Sequence, residues 1–115
     1  KIMSHQKFQN CITACNDCAV ECAHCATECL NEQQVEHLKR CIQLDLECAA
    51  FCRSAAEIMS VGSQYSMQLC KLCADVCDAC AEECEKHAQE GMEHCRVCAE
   101  ACRKCAEACR QMATA

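Results

Sequence analysis

The fold of this chain is decided by residues 11–29, which read CITACNDCAVECAHCATEC. Six cysteines recur there at steps of four, three, four, three and four residues. This is the spacing of side chains along one face of an α-helix. Neither glycine nor proline interrupts the segment. The spacing therefore predicts one continuous helix that carries a stripe of six thiols.

Three further segments repeat this spacing and predict three more helices. The four predicted helices cover about residues 5–30, 31–60, 64–87 and 92–113. The stripe of the second helix comprises Cys41, Asp45, Cys48, Cys52, Ala55 and Met59. The stripe of the third comprises Met67, Cys70, Cys73, Cys77, Cys80, Cys84 and His87. The stripe of the fourth comprises Cys95, Cys98, Cys102, Cys105, Cys109 and Met112.

Residues at the predicted helix ends support this division. Ser4 is a candidate N-cap for the first helix, and Asn31 with Gln34 forms a candidate capping box for the second. Gly62 is suited to end the second helix, and Ser63 is suited to cap the third. Three short connections then favour an all-α, antiparallel up-down four-helix bundle with a cysteine-lined core. We predict that residues 1–115 form this single domain.

Composition assigns the cysteines to the core. Leucine, isoleucine, valine and phenylalanine number only 17 of 115 residues, a fraction typical of disordered chains. Cysteine, with 19 residues, raises the hydrophobic fraction to 52%. The thiols must therefore replace missing apolar side chains, either as buried groups or as ligands of a metal cluster. We expect a helical metal-free form that is less stable than the metal-loaded form.

Several classes of function are excluded or disfavoured by composition. The net charge of −6 and the presence of only three aromatic residues argue against nucleic-acid binding. The longest apolar run, Cys48–Cys52, is too short to span a membrane. An odd number of cysteines cannot pair completely in disulfides within the chain. Residues 1–8 contain no apolar signal-peptide core, and we expect a reduced, cytoplasmic protein.

Pairs of cysteines four residues apart suit metal binding. Their Cβ atoms lie about 5–6 Å apart on a helix, so one ion can bridge the two sulfurs. Eight such pairs occur: Cys11/Cys15, Cys18/Cys22, Cys25/Cys29, Cys48/Cys52, Cys73/Cys77, Cys80/Cys84, Cys98/Cys102 and Cys105/Cys109. Cysteines on facing helices can then connect these pairs. The pattern predicts a continuous array of metal sites.

Charge favours Cu(I) as the metal. One monovalent, soft cation for each thiolate leaves a buried core neutral. Zinc requires about four ligands, so 19 cysteines would hold only about four or five ions with excess negative charge. The CxxCxxC spacing common in iron–sulfur proteins does not occur. A thiol-rich zinc or cadmium buffer stays open as the alternative. A redox enzyme is disfavoured, because no CxxC pair stands in a strand–helix context.

The two ends of the predicted bundle differ in chemistry. The antiparallel order collects apolar and thioether side chains at one end: Phe8, Met59, Met67 and Met112. It collects thiol, imidazole and carboxylate groups at the other: Cys29, His37, Cys41, Asp45, Cys84, His87, His94 and Cys95. We predict that copper enters at this second, polar end and passes inward to stronger thiolate sites.

The CxxxCxxCxxxC stripes on four helices resemble those of the cytosolic branch of the bacterial copper storage proteins, over about residues 8–112. This resemblance implies a four-helix bundle that stores many Cu(I) ions and assembles as a homotetramer. We do not expect an enzyme, because no set of nucleophile, base and orienting group is visible in the sequence. The implied ligands are all nineteen cysteines: Cys11, Cys15, Cys18, Cys22, Cys25, Cys29, Cys41, Cys48, Cys52, Cys70, Cys73, Cys77, Cys80, Cys84, Cys95, Cys98, Cys102, Cys105 and Cys109. Asp45 and His87, which lie in register with them, are added as candidate ligands.

Overall fold

Four long helices make up the fold in the computed structural model, which describes residues 8–114. Helix α1 spans Gln9–Leu30, α2 spans Lys39–Ser60, α3 spans Ser66–Gln89 and α4 spans Glu93–Thr114. A single 3-10 turn, Val35–Leu38, precedes α2. Each helix packs against two others, α1 on α2 and α4, and α3 on α4 and α2. The predicted all-α four-helix bundle is confirmed. None of the described helices is both long and apolar enough to cross a membrane.

Sulfur and alanine fill the interior of the bundle. Every cysteine is buried, and small alanine side chains, such as Ala74 and Ala81, occupy the neighbouring positions of the stripes. Leu38, Met59 and Asp45 are the largest fully buried side chains. Alanine and cysteine let the helices approach closely, but they bury little apolar area per residue. The core therefore depends on its thiols, as the composition predicted.

Charged residues lie on the outer faces and join the last two helices. The Arg103 guanidinium of α4 donates to the carboxylates of Asp78 and Glu85 on α3 over 2.8–3.0 Å. Two turns further along α4, Arg110 pairs with Asp75 and Asp78. These pairs at the surface contribute little individually, and they lie along the contact between α3 and α4.

Helix ends differ from the sequence prediction at several places. Ser63 does not cap α3, because that helix begins at Ser66 and its N-cap is Tyr65. Helix α1 begins at Gln9, later than predicted, with Phe8 at the N-cap. The predicted capping box fails because Asn31 instead lies at the C-terminal end of α1, where its backbone N–H donates to Glu28 O. The chain then passes through the 3-10 turn, and α2 begins only at Lys39. The first predicted helix included His5 with Ser4 as its cap, but both lie outside the described residues. Gly62, with φ of 68°, follows α2 as predicted.

The stripe of α3 begins at a different residue from the one predicted. Met67 is 37% exposed, whereas Ser66 is 2% exposed. The alternation of four- and three-residue steps explains this outcome, because Cys73 follows Cys70 by three residues and the preceding step must be four. That step leads back to Ser66. The assignment of Met67 to the stripe was wrong.

Candidate metal centre

All nineteen cysteines face the interior as free thiols. Eighteen of them have no exposed surface, and Cys11 retains only 2%. Four helices each contribute a stripe because the four–three spacing keeps successive thiols on the face that meets the other helices. The structure therefore brings together every cysteine that the sequence predicted as a ligand.

Distances between the sulfurs are short along each helix and shorter across the bundle. Six of the CxxxC pairs, including Cys18–Cys22, have Sγ–Sγ separations of 3.9–4.0 Å. Pairs on different helices, such as Cys52–Cys77 and Cys41–Cys84, are separated by 3.6–3.8 Å. Metal–sulfur bonds of about 2.3 Å allow two sulfurs to lie at most about 4.6 Å apart. Either kind of pair can hold a bridging ion without moving the backbone.

Neighbouring groups of four sulfurs share members. Cys18 belongs both to a group with Cys22, Cys48 and Cys102 and to one with Cys52, Cys77 and Cys105. Cys22 and Cys102 likewise recur in the adjacent group with Cys80 and Cys98. A structural zinc site is usually a closed tetrahedron of four ligands around one ion. The shared ligands form a continuous column instead, which suits a metal that accepts two or three bridging thiolates.

The thiols of the column differ in their pKa values. Hydrogen bonds with neighbouring thiols, first that of Cys18, and burial together raise the pKa of Cys102. Hydrogen bonding with Cys102 and other thiols outweighs burial and lowers the pKa of Cys48. In a buried cluster without metal, only some of the cysteines can therefore be deprotonated, because each further negative charge lacks a counterion. A bound cation removes this limit.

Asp45 lies inside the column with no exposed surface. The thiols of Cys80, Cys98 and Cys84 donate to its Oδ1 at 3.2, 3.3 and 3.6 Å. Burial, and then the charges of Cys98 and Cys41, raise the pKa of Asp45 to about 9. It thus occupies an inward position in the α2 stripe, as predicted, and its Oδ1 accepts from three thiols. Its predicted role as a ligand stays a prediction.

His87 closes the polar end through two carboxylates. Its Nε2 lies 2.9 Å from Glu83 Oε2, and its Nδ1 lies 2.8 Å from Glu90 Oε1. Glu90 also contacts His37 Nε2 at 2.9 Å, which connects α3 to the 3-10 turn. Burial lowers the pKa of His87, but the hydrogen bonds to Glu90 and Glu83 outweigh it and the pKa is raised. Copper binding by His87 stays a prediction and requires that one carboxylate releases the ring.

His94 is a candidate ligand that the sequence analysis placed at the polar end but left outside the ligand set. Its Nδ1 lies 3.5 Å from both Cys25 Sγ and Cys95 Sγ, and Cys29 completes this group. Glu32 contacts the other ring nitrogen at 2.9 Å. A carboxylate on the outer nitrogen orients a histidine ligand toward its metal. His94 was missed because it precedes Cys95 and lies beside the stripe.

A comparison with known families identifies the chain. The model of the family described as "Copper storage protein" matches residues 4–114. This chain belongs to the copper storage protein family. The predicted family is confirmed, and with it the prediction of a function in copper storage.

Individual relatives agree with this assignment. A Bacillus subtilis (strain 168) relative, described as the uncharacterized cysteine-rich protein YhjQ, is 48% identical over 71 residues, which are 62% of this chain and 66% of the relative. The structure of the Cu(I)-bound copper storage protein BsCsp3 matches with a TM-score of 0.86 and 48% identity, over 91% of this chain and 96% of that one. A cytosolic copper storage protein from Streptomyces lividans, loaded with five coppers, matches with a TM-score of 0.91 and 40% identity, over 97% of this chain and 96% of that one.

Proposed function

We propose that this chain stores Cu(I) in the thiol column at about one ion per cysteine, with residues 1–115 as one storage domain. The observation that carries this proposal is the column itself, in which buried free thiols follow one another at 3.6–4.0 Å along nearly the whole bundle. All nineteen cysteines are the proposed ligands. Asp45 and His87 are proposed as additional donors toward the polar end.

Charge sets the proposed capacity. Each Cu(I) displaces one thiol proton to solvent, so a thiolate and its ion together add no net charge to the interior. A site in which one Cu(I) is bound by two or more unshared thiolates would carry excess negative charge in a column that water does not reach. The two copper-bound relatives support the choice of metal. The zinc or cadmium alternative receives no comparable support.

Native mass spectrometry of the reduced protein tests the capacity. Titration with Cu(I) should reach saturation at about nineteen ions, because each thiolate needs one cation. Saturation at about four or five Cu(I) ions would contradict the proposal, since that number corresponds to separate tetrahedral sites. Zinc titrated in parallel is the matched control and should bind at most about four or five ions per chain.

Storage rather than catalysis is proposed as the activity. The groups that could act as acids or nucleophiles, the thiols and Asp45, lie in the sealed interior and contact each other. A substrate larger than a metal ion has no room beside them. Turnover of a thiol–disulfide substrate by the reduced, metal-free protein would contradict this assignment.

We also infer a homotetramer in the cytoplasm. Exposed apolar side chains lie on all helices except α4, and Val20, Leu46 and Leu72 are each about half exposed or more. Such side chains are suited to contacts between copies of the chain. The Streptomyces lividans relative is described as cytosolic, which supports the location. Analytical ultracentrifugation should give the mass of four chains, and a monomer at micromolar concentration would contradict the assembly.

A further inference from the structure

Three cysteines differ from the other sixteen in their position along the helix. Eight CxxxC pairs account for the sixteen, each of which has a thiol four residues away. Cys41, Cys70 and Cys95 have no cysteine at that distance in either direction. Each of these three therefore lacks the partner with which a helix can hold one ion between two of its own thiols.

A different donor atom stands beside each of the three. Asp45 Oδ2 accepts from Cys41 at 3.9 Å, and His94 Nδ1 lies 3.5 Å from Cys95 Sγ. Cys70 donates to the thioether sulfur of Met59 at 3.5 Å. The three substitutes are thus a carboxylate, an imidazole and a thioether. Only the thioether lies at the apolar end of the bundle.

We propose that Met59 is a Cu(I) ligand, and that its thioether and the Cys70 thiolate hold one ion at the apolar end of the column. Thioether sulfur is a soft donor that selects Cu(I). It is also neutral, so it completes the coordination of Cys70 without adding charge to a buried site. When Cu(I) binds, Cys70 releases its proton to solvent and both sulfurs donate electron pairs to the ion.

The surroundings of Met59 fit this role. Met59 and Cys70 have no exposed surface, so the ion would be shielded from water. Cys11 lies close by and contacts Cys109 at 3.7 Å, which continues the column from this site. Met59 also stands at the position where the α2 stripe, after Cys48, Cys52 and Ala55, would require another inward-facing residue. Core filling alone needs no sulfur there, because leucine has a similar volume.

X-ray absorption at the selenium edge tests the proposal, which rests on the proposed storage of Cu(I). The protein would be produced with selenomethionine, reduced and loaded with Cu(I) to saturation. We expect a selenium–copper scattering path that falls to background in Met59→Leu and also in Cys70→Ser. Met112→Leu, which removes another sulfur near the same end, is the matched control and should retain the path.

Two outcomes would overturn the assignment. One is the absence of a selenium–copper path in the loaded wild-type chain, and the other is a path of unchanged amplitude in Met59→Leu. The copper content of the same samples separates this failure from failure of the proposed function. About nineteen ions without selenium–copper scattering would remove Met59 alone, whereas four or five ions would contradict storage at one ion per cysteine. Circular dichroism of each variant verifies the helical fold, which a substitution of similar volume should preserve.

Discussion

The two ends of the bundle close the same thiol column by different physical means. At the apolar end, Phe8 and Met59 are buried by packing, and the Met59 thioether accepts from Cys70. At the polar end, His87 and His94 are held by hydrogen bonds to glutamates from other turns or helices. Packing at the apolar end does not depend on protonation. The hydrogen bonds at the polar end can be exchanged for a proton or a metal, so we expect copper to pass there.

The surface beside the polar end agrees with this difference. A groove of about 610 Å³ is lined by Glu21, Glu28, Glu32, His24 and His94, together with the turn that joins α3 to α4. A concentration of carboxylates attracts cations and raises their local concentration. His94 reaches from this groove to Cys25 and Cys95. We therefore expect an ion to move along this groove from solvent to the first thiols.

Removal of copper is expected to have the largest effect on the molecule. A single site at a thousandfold excess over its dissociation constant contributes about 4 kcal/mol, and many sites act together here. The loaded protein should melt more than about 15 °C above the metal-free protein in calorimetry. Hydrogen exchange should show the greater gain of protection at the polar end, because packing already closes the apolar end. Equal melting temperatures, or a greater gain at the apolar end, would contradict this.

Replacement of Asp45 by asparagine is expected to have the next largest effect, on the metal-free protein. The pKa of Asp45 is raised to about 9, so the folded state takes up a proton that the unfolded state releases above about pH 4. The free energy of unfolding therefore falls as the pH rises between these values. Asp45 should make the free energy of unfolding fall by about 1.4 kcal/mol for each pH unit, and Asp45→Asn should abolish this contribution. Urea unfolding at pH 6, 7 and 8, under reducing conditions, measures the difference from wild type.

A constant difference across these pH values would contradict the raised pKa. Asn has the shape of the protonated aspartate and can accept from the same thiols, which makes it the appropriate replacement. Comparison of the two chains at each pH also cancels the titration of the cysteines that do not contact residue 45. The same variant tests the polar half of the column, since Asp45 contacts Cys41, Cys84 and Cys98 and none of the cysteines at the apolar end.

The sequence was sufficient to predict the stripes, the antiparallel order and the different chemistry of the two ends. These features depend on helical periodicity, which is a local property. The error at Met67 arose because the stripe was extended backward from Cys70 by three residues. The alternation of three- and four-residue steps requires a step of four, which leads to Ser66. The capping box at Asn31 failed because a turn competed with the helix for the same residues.

The contacts of the candidate ligands could not be predicted in the same way. His94 lies beside its stripe, and its contact with Cys25 of another helix depends on how α1 and α4 pack together. The carboxylates on His87 likewise depend on where α3 ends. The contact of Met59 with Cys70 joins residues 11 positions apart on adjacent helices. Periodicity indicates which residues face inward, but only packing determines which atoms meet.

The rate of copper loading compares the two ends directly. Combined replacement of Asp45 and His87 by alanine should slow loading by roughly tenfold, equivalent to about 1.4 kcal/mol in the barrier, while the capacity stays almost unchanged. The reason is that His87 stands at the polar end, and Asp45 offers an oxygen beside Cys41, Cys84 and Cys98 that can assist transfer of an ion along the column. Stopped-flow absorbance of the copper–thiolate bands measures the rate. The matched control replaces Met67 and Met112 by leucine, which leaves the proposed ligand Met59 in place, and should load at the wild-type rate. The reverse result would place the port at the apolar end.

Replacement of His87 by glutamine is expected to have the smallest effect, and its pH dependence is the informative quantity. The pKa of His87 is raised above its ordinary value by Glu90 and Glu83 despite burial. Its contribution to stability is therefore fully present below about pH 6.5 and is lost as the pH rises through the higher folded value. His87→Gln should lower the free energy of unfolding of the metal-free protein at pH 5.5 by about 1 kcal/mol or less, and by still less at pH 8.5.

Combination with Glu83→Gln separates the charge interaction from packing. Glu83 Oε2 lies 2.9 Å from His87 Nε2, so its neutralisation removes one of the two carboxylates that favour the protonated ring. The pH dependence of the His87→Gln effect should then shrink, because the two substitutions act on one interaction. An equal loss of stability at both pH values, with or without Glu83, would mean that His87 closes the polar end by packing alone. The two ends would then be closed by the same means, and a rise in pH would not loosen either of them.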